Sequence, residues 1–537
     1  MMVQGRKLPI GIQDFESLRK DDYVYVDKTE YIYRLVHSGK PYFLSRPRRF
    51  GKSLFLSTLR AYFEGKKELF TGLKIMELEG DGPDAWQKYP VFYFDFNKKN
   101  FKTDTALEEV LAEHLKEWES IYGDERKDTP LEERFRYLLV KAVEQTGKNA
   151  VVLVDEYDKA LLETDEERLE HNKAVFKGFF STLKSYDHYL KFVFLTGVTK
   201  FSKVSIFSDL NQLNDISLDH EYNGICGITQ QELTDIFSIE IDQLAQKEGI
   251  DREMCLAELK KMYDGYHFAY GEEGVYNPFS LLNAFSKKTF GMYWFATGTP
   301  TFLIDKLKRS GFDAKEITDG DLYAQESVLT DYRFDNPNPI PLFYQTGYLT
   351  IKGYDKKYRS YQLGYPNNEV KYGFLESLAP YYLHDEKESD PLDIRSFGMD
   401  IERGKTDSLR DRFTALFARL PYPADEKVVE QNFQNVIYIV FMLLGQYTFT
   451  EIHSAKGRAD CIVETDDYVY IFEFKRDKSA EEALKQIEDM GYAKPYSADK
   501  RKLLKVGVNF DSKERSISGW EVSFDKTCLN KSALMVL

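Results

Sequence analysis

Residues 46–53 read Arg-Pro-Arg-Arg-Phe-Gly-Lys-Ser, and this octapeptide decides how the first half of the chain is interpreted. Its end, Gly51-Lys52-Ser53, matches the end of a P-loop, in which backbone N–H groups surround phosphates, the lysine contacts the β and γ oxygens, and the hydroxyl binds Mg²⁺. The general pattern has glycine five positions before Gly51, where this chain has Arg46. Taken alone, the octapeptide is a partial match, and an ordinary basic turn before a helix is the alternative.

The segments on either side of the octapeptide supply the context that a P-loop needs. Residues 41–44, Pro-Tyr-Phe-Leu, form a short apolar run that predicts a buried strand. After the octapeptide, Phe55, Leu59 and Tyr62 recur at helical spacing and predict a helix with one apolar face. The N-terminus of such a helix adds partial positive charge where a phosphate would lie. Strand, loop and helix together favour a nucleotide site over a basic turn.

Residues 150–156, Ala-Val-Val-Leu-Val-Asp-Glu, are typical of a buried parallel strand that ends in two acids. Ligands of parallel sheets lie beyond the carboxyl ends of the strands. Asp155 would therefore hold the Mg²⁺ that Ser53 also contacts, and Glu156 would orient or deprotonate the attacking water. A strand that ends in solvated acids is the alternative, which the upstream Gly-Lys-Ser sequence makes less favoured.

A further buried strand is predicted at residues 192–195, followed by Thr196-Gly197-Val198-Thr199-Lys200. In P-loop ATPases with this arrangement of strands, a polar residue at the end of the neighbouring strand senses the γ-phosphate. Thr196 and Thr199 are both candidates for that role. A strand followed by a tight glycine turn explains either threonine equally well.

The composition limits the class of protein. A chain of 537 residues predicts two to four domains. The four cysteines are scattered without a Cys-x-x-Cys pair, so neither a zinc site nor a disulfide framework is expected. The longest apolar stretch, residues 436–444, is too short to cross a bilayer, and the N-terminus lacks the apolar core of a signal peptide. We therefore expect a reduced cytoplasmic protein with no membrane partner.

The net charge of -15 argues against a protein coated in non-specific nucleic-acid affinity, although a local basic groove is compatible with it. The cluster of Arg46, Arg48, Arg49 and Lys52 is one such local patch. Arg48 and Arg49 would stabilise transition-state charge, or contact a neighbouring subunit of a homo-oligomer or nucleic acid. Salt bridges within the loop are the alternative.

The order of strand-like and helix-like stretches predicts an α/β protein with several domains. Strand candidates at 41–44, 91–96, 150–154 and 192–195 alternate with helical patterns, which predicts a parallel sheet covered by helices. Thr229 and Glu232 form a capping box that opens a mainly helical, winged-helix-like middle segment. Residues 386–425 are charged and contain three prolines, which is typical of a linker, although a helix over 409–420 is the alternative. The domains expected are 1–226, 227–385, a linker at 386–425, and an α/β domain at 426–537.

The chain resembles the bacterial AAA-ATPase-like proteins, a family whose hallmark is the octapeptide itself. Residues 8–15 (LPIGIQDF), 25–29 (YVDKT), 263–266 (YDGY) and 276–280 (YNPFS) fit the same family. The resemblance covers nearly the whole chain and implies an AAA-like core that binds ATP with Mg²⁺. Arg46 in place of glycine is the form that the family itself has. The expected ATP-binding residues are Arg46, Pro47, Arg48, Arg49, Phe50, Gly51, Lys52, Ser53, Asp155 and Thr196.

A second set of chemical residues lies near the C-terminus. Residues 468–474 predict a strand, on which Glu473 and Lys475 share one face because strand side chains alternate. Asp460 would approach from the neighbouring strand of a hairpin that turns at 465–467. Phosphodiester hydrolysis uses such a set, with carboxylates that bind Mg²⁺ or Mn²⁺ and a lysine that stabilises developing charge. A solvated face with a salt bridge is the alternative.

This arrangement resembles the PD-(D/E)xK nuclease fold, with Ala459 where the label has proline. The resemblance implies a further acid on the preceding helix, where Glu430 lies, and a helix after the active strand, from which Gln486 would face the site. The expected metal ligands are Glu430, Asp460 and Glu473, and the expected catalytic residues are Glu473, Lys475 and Gln486. Nuclease-like domains are also fused to ATPases of the family named above.

Two functions follow from these expectations. The first is an ATP-dependent nuclease that acts on DNA, in which ATP turnover in the first domain gates the C-terminal site. The second is an ATP-controlled signalling or assembly switch, whose nuclease-like domain only binds nucleic acid or a partner. The tyrosine-rich stretch 344–372 would offer faces for base stacking, although packing in a winged-helix-like core is the favoured interpretation.

Overall fold

The fold is taken from a computed structural model. It describes residues 6–39, 41–80, 82, 85–98, 101, 103–162, 164, 166–200, 213–297, 303, 307, 317, 322–330, 332, 336, 338–383, 393–418, 436–437, 439–445, 460–514 and 516–524, with the backbone alone at 166 and 379–383. The chain divides into two compact units. Unit 1 comprises Met1–Phe312 and Gly320–Val370, and unit 2 comprises Asp313–Asp319 and Lys371–Leu537.

Unit 1 contains a five-stranded parallel sheet. Its strands are β1 (Tyr42–Ser45), β2 (Val91–Asp95), β3 (Ala150–Asp155), β4 (Leu190–Gly197) and β5 (Asn214–Asp215), in the order β2-β3-β4-β1-β5. Every residue of β1 and β3 is buried, which is the pattern of strands covered on both faces. The parallel sheet predicted from the sequence is confirmed, and its predicted strands end within two residues of the observed ones.

Helices cover both faces of this sheet. They are α1 (Phe15–Lys20), α2 (Thr29–Ser38), α3 (Lys52–Phe63), α4 (Lys74–Glu79), α5 (Ala106–Tyr122), α6 (Leu131–Thr146), α7 (Lys159–Leu162) and α8 (Glu166–Ser185). Aromatic side chains fill the space between the sheet and helices α5, α6 and α8. The ring of Phe94 lies 4.9 Å from Trp118, 5.4 Å from Phe135 and 5.4 Å from Phe179, between centroids. Such packing fixes the sheet edge that carries Asp155.

The middle of the chain, also in unit 1, is mainly helical, as predicted. Its helices are α9 (Gln230–Ile236), α10 (Ser238–Glu248), α11 (Arg252–Tyr263), α12 (Pro278–Lys287), α13 (Glu326–Leu329) and α14 (Ile340–Gln345). The predicted capping box of Thr229 and Glu232 is present at the start of α9. Strands β6 (Tyr323–Gln325), β7 (Thr350–Asp355) and β8 (Ser360–Gly364) form a small antiparallel sheet in the order β6-β8-β7.

Unit 2 contains a four-stranded mixed sheet. Its strands are β9 (Cys461–Glu464), β10 (Tyr468–Arg476), β11 (Lys502–Asp511) and β12 (Ser516–Phe524), in the order β12-β11-β10-β9, and only β10 and β11 run parallel. Helix α15 (Asn368–Leu383) begins in unit 1 and continues into unit 2. The other helices are α16 (Ile394–Glu402), α17 (Thr406–Phe417), a helix over 436–437 and 439–444, and α18 (Ala480–Asp489). Along the described residues, no helix has the length and apolar character that a bilayer crossing requires.

The stretch 386–425, for which a linker and a helix over 409–420 were the two interpretations, is mainly helical in the part that the structure describes. Residues 393–418 form α16 and α17, which belong to the core of unit 2. The ring of Phe413 lies 6.2 Å from Trp520, and that of Phe417 lies 5.7 Å from Phe510. The prolines that suggested a linker lie outside these two helices, and between them apolar residues recur at helical spacing.

Candidate functional site

The octapeptide, here named the phosphate loop (residues 46–53), connects β1 to the N-terminus of α3. Two of its residues have left-handed backbone, Arg49 at a φ of 68° and Gly51 at 95°. Glycine adopts this conformation without strain, whereas arginine does so at a cost. Lys52 is buried, and its ammonium donates to the carbonyls of Arg46 at 2.9 Å and Pro47 at 3.0 Å. The loop is therefore folded around its lysine.

Arg46, the first residue of the phosphate loop, has a buried side chain. Its side chain is 1% exposed, and its guanidinium donates to the carbonyls of Ser217 at 2.8 Å and Tyr222 at 3.1 Å. The same group lies 3.9 Å from the ring centroid of Phe268, and burial lowers its pKa. A buried guanidinium needs acceptors, and it finds them in backbone that lies far along the chain. The Arg46 side chain therefore anchors the phosphate loop to the backbone of Ser217 and Tyr222, and its role in ATP binding stays a prediction.

Pro47 packs against Gly347 and is not among the residues that line the cavity beside the loop. A Cβ added at Gly347 would lie 2.7 Å from Cγ of Pro47, which shows how closely these two residues pack. Gly347 has a φ of 89°, so both the conformation and the close approach favour glycine there. The other six residues of the loop, from Arg48 to Ser53, line one cavity.

The cavity beside the phosphate loop measures about 400 Å³, and its lining contains both polar and apolar residues. The polar residues include Arg48, Lys52, Ser53, Asn97, Glu156 and Lys159. The apolar residues include Pro9, Ile10, Ile12, Val24, Val26, Ile225, Ile228, Phe237 and Leu282. Nucleotides have an apolar base and anionic phosphates, so this mixed lining suits one. Sequence reasoning missed the apolar residues of the lining, although residues 8–15 and 25–29 fit the family resemblance.

Three predicted residues meet at the carboxyl edge of the parallel sheet. Asp155 is 1% exposed and accepts hydrogen bonds from the hydroxyls of Ser53 and, at 2.8 Å, Thr196. Burial raises the pKa of Asp155, while both hydroxyl donors oppose that rise. A serine hydroxyl and a carboxylate side by side are oxygen ligands of the kind that Mg²⁺ takes, so these residues fit the ion.

The structure distinguishes Thr196 from Thr199, which were equal candidates for the role of γ-phosphate sensor. The Thr199 hydroxyl donates to Asp158 at 2.7 Å, and Asp158 also accepts the backbone N–H groups of Val198 and Thr199. Burial raises the pKa of the Asp158 carboxyl. Thr199 thus closes the turn after β4, and Thr196 is the threonine that lies beside Asp155.

Glu156 lines the cavity together with Lys159, which sequence reasoning missed. Glu156 has a left-handed backbone with a φ of 49°. The ammonium of Lys159 donates to the carbonyl of Asn97 at 3.0 Å, and both residues line the cavity. Lys159 follows the acidic strand end by only a few positions, which is the signal that could have found it. A carboxylate and a cation thus line the same cavity.

Residues from the middle of the chain hold the phosphate loop in place. The ring of Phe50 lies 4.7 Å from that of Tyr266, and the Phe50 carbonyl accepts from the N–H of Gly227 at 3.2 Å. The indole N–H of Trp294 donates to the carbonyl of Arg48 at 3.0 Å. The conformation of the loop therefore depends on residues more than 170 positions away in sequence, which include the motif at 263–266.

Trp294 is itself fixed by a buried carboxylate at the start of α15. Glu369 is 0% exposed, and its oxygens accept from the Ser280 hydroxyl at 2.7 Å and from the backbone N–H of Trp294 at 2.6 Å. Burial raises the pKa of Glu369 to about 7. A chain of hydrogen bonds thus runs from Glu369 through Trp294 to the phosphate loop.

Glu369→Gln is expected to remove a pH dependence of stability. Because the pKa is about 7 in the folded protein and near 4.5 otherwise, the folded state binds the extra proton. The contribution of Glu369 to the free energy of unfolding is largest below about pH 4.5. It decreases by at most about 3 kcal/mol as the pH rises to about 7. The neutral glutamine removes that slope. Urea unfolding at pH 5, 6, 7 and 8 measures it.

The exposed Glu253→Gln is the matched control for this experiment, because it removes a carboxylate that lies at the surface. We expect Glu253→Gln to have the pH profile of the parent. A Glu369→Gln profile parallel to that of the parent would contradict the assignment.

The predicted residues of unit 2 meet at one end of β9 and β10. Cys461 pairs with Phe472, so Asp460 and Glu473 follow at the same end of the two strands. Asp460 accepts the backbone N–H of Phe474 at 2.8 Å, and Glu473 accepts from the Lys475 ammonium at 2.8 Å. The structure thus brings Asp460, Glu473 and Lys475 together.

Glu473 is an unusual carboxylate in this group. Its side chain is 2% exposed, and its Oε2 has no hydrogen-bond partner among the described residues. Burial raises its pKa; the hydrogen bond from Lys475 opposes the rise, and the negative charge of Asp460 adds to it. A buried carboxylate oxygen without a donor, next to a second carboxylate, suits a divalent cation.

Helix α18 packs against the face of β10 that carries Glu473. A Cβ added at Gly507, which pairs with Glu473, would lie 2.2 Å from the carbonyl of Ala480 in this helix. Gln486 lies on α18 and is half-buried, but the described contacts include no hydrogen bond between it and Asp460, Glu473 or Lys475. The position of Glu473, which lies next to Gly507, is therefore fixed by the packing of backbone against backbone. Gln486 lies on α18, the helix that covers this face of the sheet.

The third predicted metal ligand, Glu430, lies outside the described residues. Within the part of the chain that the structure describes, no group of three His, Cys, Asp or Glu side chains could hold a metal ion by itself. Asp460 and Glu473 would therefore hold the ion together with water or substrate oxygens.

Comparisons with known proteins agree with this division of the chain. A family described as predicted AAA-ATPase matches residues 9–207, and the PD-(D/E)XK nuclease superfamily matches residues 428–520. A protein of Azotobacter chroococcum mcd 1, described as an uncharacterized protein in the vnfD 5' region, is 37% identical over 534 residues. That alignment covers 96% of this chain and 99% of the relative. No solved structure matches the chain.

Proposed function

The chain belongs to the AAA-ATPase-like family that carries a C-terminal PD-(D/E)XK nuclease-superfamily domain, and on this premise we propose that it is an ATP-hydrolysing nuclease. Its substrate would be nucleic acid, with DNA favoured over RNA. The observation that carries the proposal is the meeting of Asp460, Glu473 and Lys475, with one Glu473 oxygen buried and without a hydrogen-bond partner among the described residues. The same chain has a nucleotide-sized cavity beside its phosphate loop.

At the nucleotide cavity, each polar residue has a separate task. The Lys52 ammonium would turn from the loop carbonyls to the β and γ oxygens of ATP, and Ser53 and Asp155 would hold Mg²⁺. Glu156 would accept a proton from the water that attacks the γ-phosphorus. Arg48 and Arg49 are exposed and line the cavity, and they would meet the phosphates or a second copy of the chain.

At the second site, water would attack phosphorus, and the bond from phosphorus to one bridging oxygen would break. The Lys475 ammonium would stabilise the negative charge that develops on the phosphate oxygens. Asp460 and Glu473 would hold Mg²⁺ or Mn²⁺. When bound, such an ion polarises the phosphate and makes water a better nucleophile.

A second candidate function is an ATP-controlled assembly or signalling switch, whose unit 2 binds nucleic acid or a partner without cutting. The direct ion pair between Lys475 and Glu473, at 2.8 Å, is compatible with this function as well, because a purely structural pair has the same geometry. The two functions differ in whether a divalent metal produces cleavage.

Labelled DNA and RNA, single- and double-stranded, test the proposal directly. Each is incubated with the full chain in EDTA, Mg²⁺ or Mn²⁺, with and without ATP, and cleavage products are separated on gels. We expect cleavage of DNA that requires metal and whose rate ATP changes. Intact substrate under every condition would refute the nuclease and favour the switch.

A further inference from the structure

The hairpin of β7 and β8, residues 350–364, is a basic segment in an acidic protein. It contains three lysines, one arginine and one aspartate, whereas the chain as a whole has a net charge of -15. Its turn, Lys356, Lys357, Tyr358 and Arg359, is exposed throughout. Among the described acids, none forms an ion pair with the three cations of the turn. We call residues 350–364 the tyrosine hairpin.

The one acid of the hairpin has a structural task. The Asp355 carboxylate accepts the backbone N–H groups of Lys357 at 2.8 Å and Tyr358 at 3.1 Å, which closes the turn. Arg359 completes the turn with left-handed backbone at a φ of 51°. The turn therefore presents three cations whose positions are set by the backbone.

Five of the seven tyrosines of the stretch 344–372 fall into two groups. Tyr348, Tyr365 and Tyr372 are buried, as core packing predicts. Tyr354 and Tyr361 instead pair across the hairpin, with ring centroids 4.9 Å apart.

Aromatic surface also extends beyond this cross-strand pair. Tyr270, which is 40% exposed, packs 5.5 Å from Tyr354. Tyr358 is 64% exposed on the turn, with the Lys357 ammonium 4.9 Å from its ring. The hairpin thus combines accessible aromatic surface with three exposed cations.

We propose that the tyrosine hairpin binds single-stranded nucleic acid, with Lys356, Lys357 and Arg359 on phosphates and a base stacked on Tyr358. Exposed tyrosine rings accept unpaired bases of any sequence, and lysine and arginine follow the backbone. Bases in a duplex are stacked on each other, so the rings favour a single strand. The proposal rests on the proposed nuclease function, because it supplies a contact for the strand that would be cut.

Fluorescence anisotropy of the full chain with labelled oligothymidine, in EDTA and over a range of salt concentrations, tests the proposal. The variant Lys356→Ala/Lys357→Ala/Arg359→Ala should bind at least about 10-fold more weakly at low salt. Its slope of log affinity against log salt should be smaller by about 2, since each phosphate contact on a single strand contributes about 0.7.

Tyr358→Ala separates the stacking contribution from the charge contribution. We expect about 5-fold weaker binding or more, with the salt slope of the parent, because one stacked base is lost and no phosphate contact changes. Labelled single-stranded RNA and duplex DNA extend the test, and the duplex should depend less on Tyr358.

The control variant Lys247→Ala/Lys260→Ala/Lys261→Ala removes three exposed cations from α10 and α11 and should bind like the parent. Equal binding by the hairpin variant and the control, or no binding by the parent, would overturn the hairpin proposal. Metal is absent here, so this outcome is independent of the cleavage assay. Hairpin-dependent binding without cleavage would refute the nuclease alone.

Discussion

Lys52→Ala is expected to lower ATP turnover by at least about 100-fold. The Lys52 ammonium is buried inside the phosphate loop, where it has two carbonyl acceptors. In that enclosed position it would stabilise charge on the transferring phosphate, and the loss of one such preorganised donor costs about 100-fold or more. Release of inorganic phosphate at saturating ATP measures the effect.

Two further variants test whether the loss of ATP turnover is specific to the charge of Lys52. Lys52→Met keeps the length of the side chain without its charge and should show the same loss. Lys191→Ala, which removes an exposed lysine from β4, should leave turnover within about twofold. Turnover by Lys52→Ala within about threefold of the parent would contradict the assignment of the phosphate loop.

Lys475→Ala is expected to lower metal-dependent cleavage by at least about 100-fold while ATP turnover stays within about twofold. The lysine is the cation of the unit 2 site, and its ammonium lies 2.8 Å from Glu473. Removing it takes away the stabilisation of charge on phosphate. Initial cleavage rates in Mg²⁺ and Mn²⁺, together with phosphate release, measure both activities on the same preparation.

Lys475→Ala also leaves Glu473 buried without its ion-pair partner, so we expect a lower melting temperature. Asp460→Asn separates this loss of stability from the loss of chemistry, because it leaves the pair of Glu473 and Lys475 in place. It too should abolish cleavage. Lys478→Ala, at an exposed position just after β10, is the matched control. Full cleavage by Asp460→Asn and Lys475→Ala would show that the site lies elsewhere.

The parts of the fold that the sequence predicts well are those with one dominant local signal. Strands β1, β3 and β4 are short apolar runs that are buried on both faces, except at Lys191 of β4, and their pattern differs from that of the helices around them. The capping box at Thr229 is likewise local. The stretch 386–425 is hard to interpret from sequence, because prolines and charges typical of a linker lie beside α16 and α17. The apolar residues of these helices pack against a sheet that lies far along the chain.

The candidate sites divide in the same way. Lys52, Ser53 and Asp155 carry recognisable spacing, so their meeting could be predicted. The position of Arg46 could not, because its acceptors lie 171 and 176 residues along the chain. Trp294 reaches the phosphate loop across 246 residues, and nothing local distinguishes it from a core tryptophan. Long-range partners of buried polar groups are set by packing, which composition and periodicity do not encode.

The most direct test of ATP-controlled cleavage is the initial rate at which labelled DNA is cut in Mg²⁺, measured with and without ATP for the parent and for Lys52→Ala. We predict that ATP changes the rate of the parent several-fold and leaves that of Lys52→Ala unchanged. A parent rate that is the same with and without ATP, or a Lys52→Ala protein that responds to ATP as the parent does, would contradict the proposal that the phosphate loop governs the nuclease site.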